Sequence, residues 1–132
     1  MINKLEEIFN ERKPKVIGKF KESAVMILLV EELEELSVVF EVRSQKLRSQ
    51  PGDVCLPGGQ VEQDENPRET SIRESMEELN LKRDQIQFIG DMDYYISPYE
   101  NRLYAFVGKL KYGEINPNPD EVDHIFKVPL TF

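Results

Sequence analysis

The stretch that decides the reading runs Gly59-Gln-Val-Glu-Gln-Asp-Glu65-Asn-Pro67-Arg-Glu69-Thr-Ser-Ile72-Arg73-Glu74-Ser75-Met76-Glu77-Glu78-Leu79-Asn80-Leu81. Its middle predicts a helix over 67–79. Asn66 supplies an N-cap oxygen, Pro67 suits the first helical position, and Glu69 stands where a capping-box glutamate stands. Asn80 suits the left-handed residue that closes a helix. At about 100° per residue, Ile72, Met76 and Leu79 form one stripe with the small Ser75 at its edge, and this stripe is expected to pack on a sheet. Glu74, Glu77 and Glu78 fall on the opposite side at i, i+3 and i+4. Like charges at that spacing destabilise an isolated helix by a few tenths of a kcal/mol per pair, roughly, which Arg73 partly offsets through Glu77. Carboxylates converging on one point are what Mg²⁺ or Mn²⁺ requires. On spacing alone, a metal face and a solvated acidic face both remain open.

Outward from the helix, an apolar run at 24–30 and another at 37–42 predict two strands joined by a polar turn. Residues 43–59 read as a long loop broken by Pro51, Gly52, Pro57, Gly58 and Gly59. Further strands are expected at 87–96, 102–110 and 126–128, with a turn at 98–101 and a rigid loop at Asn116-Pro-Asn-Pro-Asp-Glu121. Residues 4–9 predict a short amphipathic helix limited by Pro14. Strands before and after one central helix make a single α/β domain over 1–132 with a mixed sheet.

Composition narrows the function. The net charge of −8 argues against general nucleic-acid binding, which needs a basic footprint. No apolar run approaches the roughly 20 residues of a membrane span, and the first residues lack a signal-peptide layout. Cys55, the single cysteine, cannot form an internal disulfide, so a cytoplasmic location is expected. Cys55 itself reads as a small packing residue, and His124, the single histidine, as a surface or packing group.

The residues quoted above resemble the Nudix box: glycine, five residues, glutamate, seven residues, Arg-Glu, an apolar residue, any residue, Glu-Glu, any residue, glycine, apolar. Gly59, Glu65, Arg73, Glu74, Glu77, Glu78 and Leu81 fit without a gap. Ser75 stands for the apolar residue and Asn80 for the last glycine. Upstream, Arg43-Ser44, Arg48, Gly52 and Leu56-Pro57-Gly58-Gly59 resemble the signature that precedes the box in coenzyme A pyrophosphatases, with Leu56 in place of Phe. The tail Pro117-Asn-Pro-Asp-Glu-Val122 and Val128-Pro-Leu130 is similar as well.

The resemblance implies an α/β/α sandwich and hydrolysis of a nucleoside diphosphate linkage with Mg²⁺ or Mn²⁺. It implies metal ligation by Glu74, Glu77, Glu78 and the carbonyl of Gly58, and a structural pair of Glu65 with Arg73. Glu74, Glu77 or the loop acid Glu121 would serve as general base. Arg43, Ser44 and Arg48 would meet substrate phosphates, and Tyr94, Tyr95 and Tyr99 are candidates to stack on adenine. Coenzyme A, or a derivative, would give 3′-phospho-AMP and 4′-phosphopantetheine. ADP-ribose, a dinucleotide or a nucleoside triphosphate is the alternative substrate class, and a non-catalytic nucleotide-binding module the alternative role. The chain stops at Phe132, before the closing helix usual in that family. The expected sandwich therefore has a missing or shortened C-terminal helix, its open face covered by the first helix or by a second subunit in a homodimer.

Overall fold

The computed structural model describes residues 1–13, 21–98 and 101–131; Pro14, Tyr99 and Phe132 lie outside them. Two α-helices and eight strands follow in the order α1 (Ile2–Glu11), β1 (Lys21–Glu32), β2 (Glu35–Arg43), β3 (Val54–Cys55), β4 (Gly58–Gln60), α2 (Pro67–Leu79), β5 (Ile86–Asp91), β6 (Tyr95–Ile96), β7 (Asn101–Leu110) and β8 (Val122–Pro129), with a 3₁₀ turn at Arg83–Gln85.

All eight strands belong to one mixed sheet, whose main path is β3-β2-β1-β7-β5. β1 and β2 form the expected hairpin, and β4 pairs antiparallel with β1, placing Ala24 opposite Gly59 and Val25 opposite Gly58. β1 and β7 run parallel from Lys21↔Asn101 to Leu29↔Lys109. A parallel pair needs a long crossover, and the segment carrying α2 lies within it. β8 pairs with β2 from Ser37↔Pro129 to Arg43↔Val122, with a bulge beside Val42.

Several expected boundaries move. The final strand is 122–129 rather than 126–128, because all of β2 is available to pair with it. The expected loop at 43–59 contains β3 and β4, both too short for a periodicity signal. The expected strand at 87–96 divides into β5 and β6, each pairing separately with β7.

α2 has the bounds that its capping signals predict. Asn66 Oδ1 accepts from Glu69 N at 2.9 Å, and Asn66 N donates to Glu69 Oε2 at 3.4 Å. Asn80 closes the helix at φ 51°, ψ 48°. Its orientation, however, corrects the stripe reading. The buried residues are Thr70, Ser71, Ser75, Glu78 and Leu79, whereas Ile72 and Met76 are only half-buried at the flank. Ser71, Ser75 and Glu78 lie at i, i+4 and i+7, one face of a helix. Two side chains this small let the helix axis approach the sheet. Their hydroxyls are satisfied within the helix, by Arg68 O at 2.8 Å and Ser71 O at 2.7 Å.

The core under α2 comprises Met26, Leu28, Val30, Val39, Leu79, Leu81 and Ile86. α1 buries none of its residues, so the expectation that it covers the second face of the sheet is not met. Within the described residues, α2 is the helix that packs on the sheet. No described helix is long and apolar enough to cross a membrane.

Candidate functional site

Three segments meet where the last turn of α2 faces β4 and the loop before β8. Loop 116–121 is tied to that turn by Asn118 N donating to Glu78 O at 2.9 Å and Asn80 Nδ2 donating to Asn116 O at 2.7 Å. Ser44 N donates to Glu121 O at 3.0 Å. These bonds bring Glu121 to Glu74 and Glu78, and one carboxylate oxygen from each lies within 4.8 Å of the others. Glu77 is outside this group. Its side chain is 51% exposed, and Arg73 Nη1 reaches it at 3.5 Å.

Glycines let the carboxylates in. Gly58 N donates to Glu78 Oε1 at 2.9 Å. A Cβ on Gly58 would meet Ala24 O at 2.3 Å, so the close pairing of β4 with β1 excludes any side chain there. At Gly59 a Cβ would stand 2.7 Å from the Glu74 carboxylate, so this position keeps Glu74's place open.

Arg73 organises the outer side. Nε and Nη2 donate to Glu65 at 2.7 and 3.0 Å, and Nη1 donates to Glu74 Oε1 at 2.8 Å. Thr70 Oγ1 adds a bond to Glu65 at 2.5 Å. The Arg73 hydrogen bonds hold the Glu65 carboxyl down at about 2. Glu74 is raised by burial, against the pull of Arg73. Glu78, 6% exposed, is raised by burial first and then by the acid that faces it from β2, Glu41.

Glu41 is the site residue that the sequence reading missed. It is 1% exposed and is raised chiefly by burial, against a hydrogen bond with Glu78 that lowers it. Among the described residues its Oε1 has no hydrogen-bond donor, since a neighbouring carboxyl donates only when protonated. Two residues earlier, Val39 is buried on the same strand face.

The expected substrate contacts lie beside this cluster, Ser44 being bonded through its backbone N to Glu121 O. The Arg43 guanidinium donates to Ser49 O through Nε at 3.3 Å and Nη2 at 3.0 Å. Ser44 is buried, and its hydroxyl accepts from Lys46 N at 3.2 Å. Arg48 is exposed. Tyr94 packs on Tyr104 with centroids 5.3 Å apart, and Tyr95 is exposed. His124 is on the surface beside Asp123. Cys55 lies opposite Glu41 on β3, its Sγ 3.9 Å from Oε2.

Converging carboxylates form a hard oxygen donor set of the kind Mg²⁺ or Mn²⁺ takes, and among the described residues the buried Oε1 of Glu41 has no hydrogen-bond partner. The residues therefore fit a divalent cation. A glutamate-bearing helix closed by glycines onto a mixed sheet is the architecture of a Nudix domain. The family model for the NUDIX domain matches residues 20–131, and the chain belongs to that family.

The chain is 33% identical over 111 residues to a peroxisomal coenzyme A diphosphatase of Mus musculus, an alignment covering 83% of this chain and 47% of that one. It is 35% identical over 118 residues to the mitochondrial Nudix hydrolase 15 of Arabidopsis thaliana, covering 85% and 41%. The chain thus spans less than half the length of either relative. Among solved structures, an Ap4A hydrolase of C. elegans superposes with a TM-score of 0.70 at 16% identity, over 84% of this chain and 81% of that one, a likeness of fold.

Proposed function

We propose that this protein hydrolyses the diphosphate of coenzyme A or a coenzyme A derivative, releasing 3′-phospho-AMP and 4′-phosphopantetheine. The observation that carries a hydrolytic centre is the meeting of Glu74, Glu78 and Glu121 oxygens within 4.8 Å. In this reading those three carboxylates hold Mg²⁺ or Mn²⁺, with the Gly58 amide fixing the Glu78 oxygen and Arg73 fixing Glu74. The bound cation would neutralise phosphoryl charge and acidify water. Glu74 or Glu121 accepts the proton from the attacking water. Glu77 lies at the solvent rim on the same arginine and takes part through Arg73.

The substrate class rests on the Arg43–Gly59 signature and on the relative named as a coenzyme A diphosphatase. Arg43 and Arg48 are the donors proposed for phosphate, Arg43 by leaving the Ser49 carbonyl, while Ser44 shapes the loop. The lone thiol supports a reducing compartment, the cytoplasm being the simplest. The two relatives are named for the peroxisome and the mitochondrion, and locating the protein decides among the three.

The test is incubation with coenzyme A and Mg²⁺ in ¹⁸O-labelled water, with ADP-ribose and Ap4A in parallel. The expected result is labelled 3′-phospho-AMP or labelled phosphopantetheine, with kcat/KM highest for coenzyme A. Higher kcat/KM for either competitor reassigns the substrate, and full activity in Glu78→Gln refutes the centre.

A further inference from the structure

Glu41 projects from β2 toward α2, on the strand face that also buries Val39. A carboxylate removed from water needs donors or a counter-charge. Here the supply falls short. Oε2 has the weak Cys55 thiol donor at 3.9 Å, the carboxyl meets that of Glu78 in a hydrogen bond that needs a proton on one of the two, and Oε1 has no donor among the described residues. The charged groups that act on it are Glu78, Glu121, Arg43 and Glu74. Arg43, the one cation among them, is engaged by the Ser49 carbonyl. A buried acid thus sits against Glu78, beside but outside the group of three oxygens that meet within 4.8 Å, with one of its own oxygens unpaired among the described residues.

We infer that Glu41 is a fourth carboxylate of the cation centre, its free Oε1 completing from the sheet side the donor set of Glu74, Glu78 and Glu121. This rests on the proposed reading of those three residues as ligands of a hard divalent cation, and it adds a residue from outside the glutamate-bearing helix. A purely structural Glu41, needed only to share a proton with Glu78, makes a different demand. Glutamine in its place would donate an amide hydrogen to Glu78 and leave cation affinity untouched.

The experiment is a Mn²⁺ titration of metal-free protein, followed by calorimetry and by the paramagnetic resonance signal of free Mn²⁺, for wild type, Glu41→Gln and Glu78→Gln. Melting temperature is read with and without Mn²⁺. Glu41→Gln is expected to weaken Mn²⁺ binding by about 10–100-fold, to raise the metal-free melting temperature by removing one of two facing acids, and to shrink the rise that Mn²⁺ produces. Wild-type affinity in Glu41→Gln, alongside weakened binding in Glu78→Gln, overturns the role of Glu41 alone. Absence of Mn²⁺ binding by the wild type overturns the cation centre and this inference with it. Should Glu41→Gln fail to fold, Glu41→Asp keeps the charge but withdraws the oxygens by one methylene. It is expected to weaken binding by about tenfold, and unchanged affinity there overturns the inference.

Discussion

Adding one methyl group to Gly58 and to Gly59 strikes two different objects, and the consequences should separate. At Gly58 the new Cβ falls 2.3 Å from Ala24 O and 2.8 Å from Val25 Cα. Both are main-chain atoms of the paired strand, and they yield only if β4 leaves β1. That pairing comprises three Cα partners. Losing about two ladder bonds at roughly 1 kcal/mol each, with the bond to the Glu78 carboxyl at about 1.5–3 kcal/mol, predicts a cost of about 3.5–5 kcal/mol. The lower entropy of the unfolded alanine chain returns less than about 1 kcal/mol. At Gly59 the Cβ falls 2.7 Å from Glu74 Oε1 and Cδ, the far end of a flexible side chain. Ordinary contact needs about 3.5 Å, so the carboxylate retreats by somewhat under an ångström and loosens its 2.8 Å bond to Arg73. Stability should then change by about 1 kcal/mol or less. A displacement of that size at the reacting centre costs about 100-fold in rate. Urea unfolding and kcat/KM for coenzyme A in Mg²⁺ read the two effects. Wild-type kcat/KM in Gly59→Ala, or a Gly58→Ala no less stable than Gly59→Ala, refutes the reasoning.

Glu65 is held at about 2, against 4.5 for an unperturbed glutamate. Its contribution is therefore present above about pH 4.5 and fades as the pH falls toward 2. Glu65→Gln should cost about 1–2 kcal/mol at pH 7 after allowance for screening and flatten the acid limb of melting temperature against pH; a curve parallel to wild type between pH 4.5 and 2 contradicts this. Cys55 is pushed up to about 11 by burial and then by Glu41 and Glu78. At pH 8 only about one thiol in a thousand is ionised, so the native protein should react with iodoacetamide at least about 100-fold more slowly than the urea-unfolded chain; similar rates would refute the burial argument. Asn80→Gly restores the residue usual at the helix end but removes the bond to Asn116 O. It should lose about 1 kcal/mol and weaken Mn²⁺ binding severalfold by freeing the loop that carries Glu121, whereas wild-type values in both would show that the tie is idle.

What the sequence made legible was local. The bounds of α2 follow from Asn66, Pro67, Glu69 and Asn80, all within or beside the helix, and the structure has the same bounds. The face of α2 was not legible, because a stripe of large apolar residues ignores how closely two small serines let a helix approach. Glu41 was hidden by a parity conflict. In β2 the apolar Val38, Phe40 and Val42 alternate with Ser37, Val39, Glu41 and Arg43, so period two marks the Phe40 face as the core. Phe40 does stack there on Phe126 at 5.5 Å, but α2 covers the other face and buries Glu41. Glu121 was visible as a loop acid and a candidate base, but not as a neighbour of Glu74 and Glu78. Its place beside Glu74 and Glu78 depends on Asn116, Asn118 and Ser44, bonds that tie loop 116–121 to residues far away in the chain.

The offsets that hold these acids in the fold are uneven, and the unevenness bears on function. Glu65 and Glu74 have Arg73, and Glu78 has the Gly58 amide. Glu41 Oε1 has no hydrogen-bond partner among the described residues. A fold selected for stability alone would replace Glu41 with a neutral side chain, since an unpaired buried acceptor costs about 1–3 kcal/mol and an acid more. Keeping it makes sense if the missing partner arrives from solution. Substitutions that stabilise the metal-free protein at positions 41 and 78 should then be those that weaken the centre, a stability–activity trade-off, whereas stabilising changes at the flank residues Ile72 and Met76 should leave cation binding unchanged.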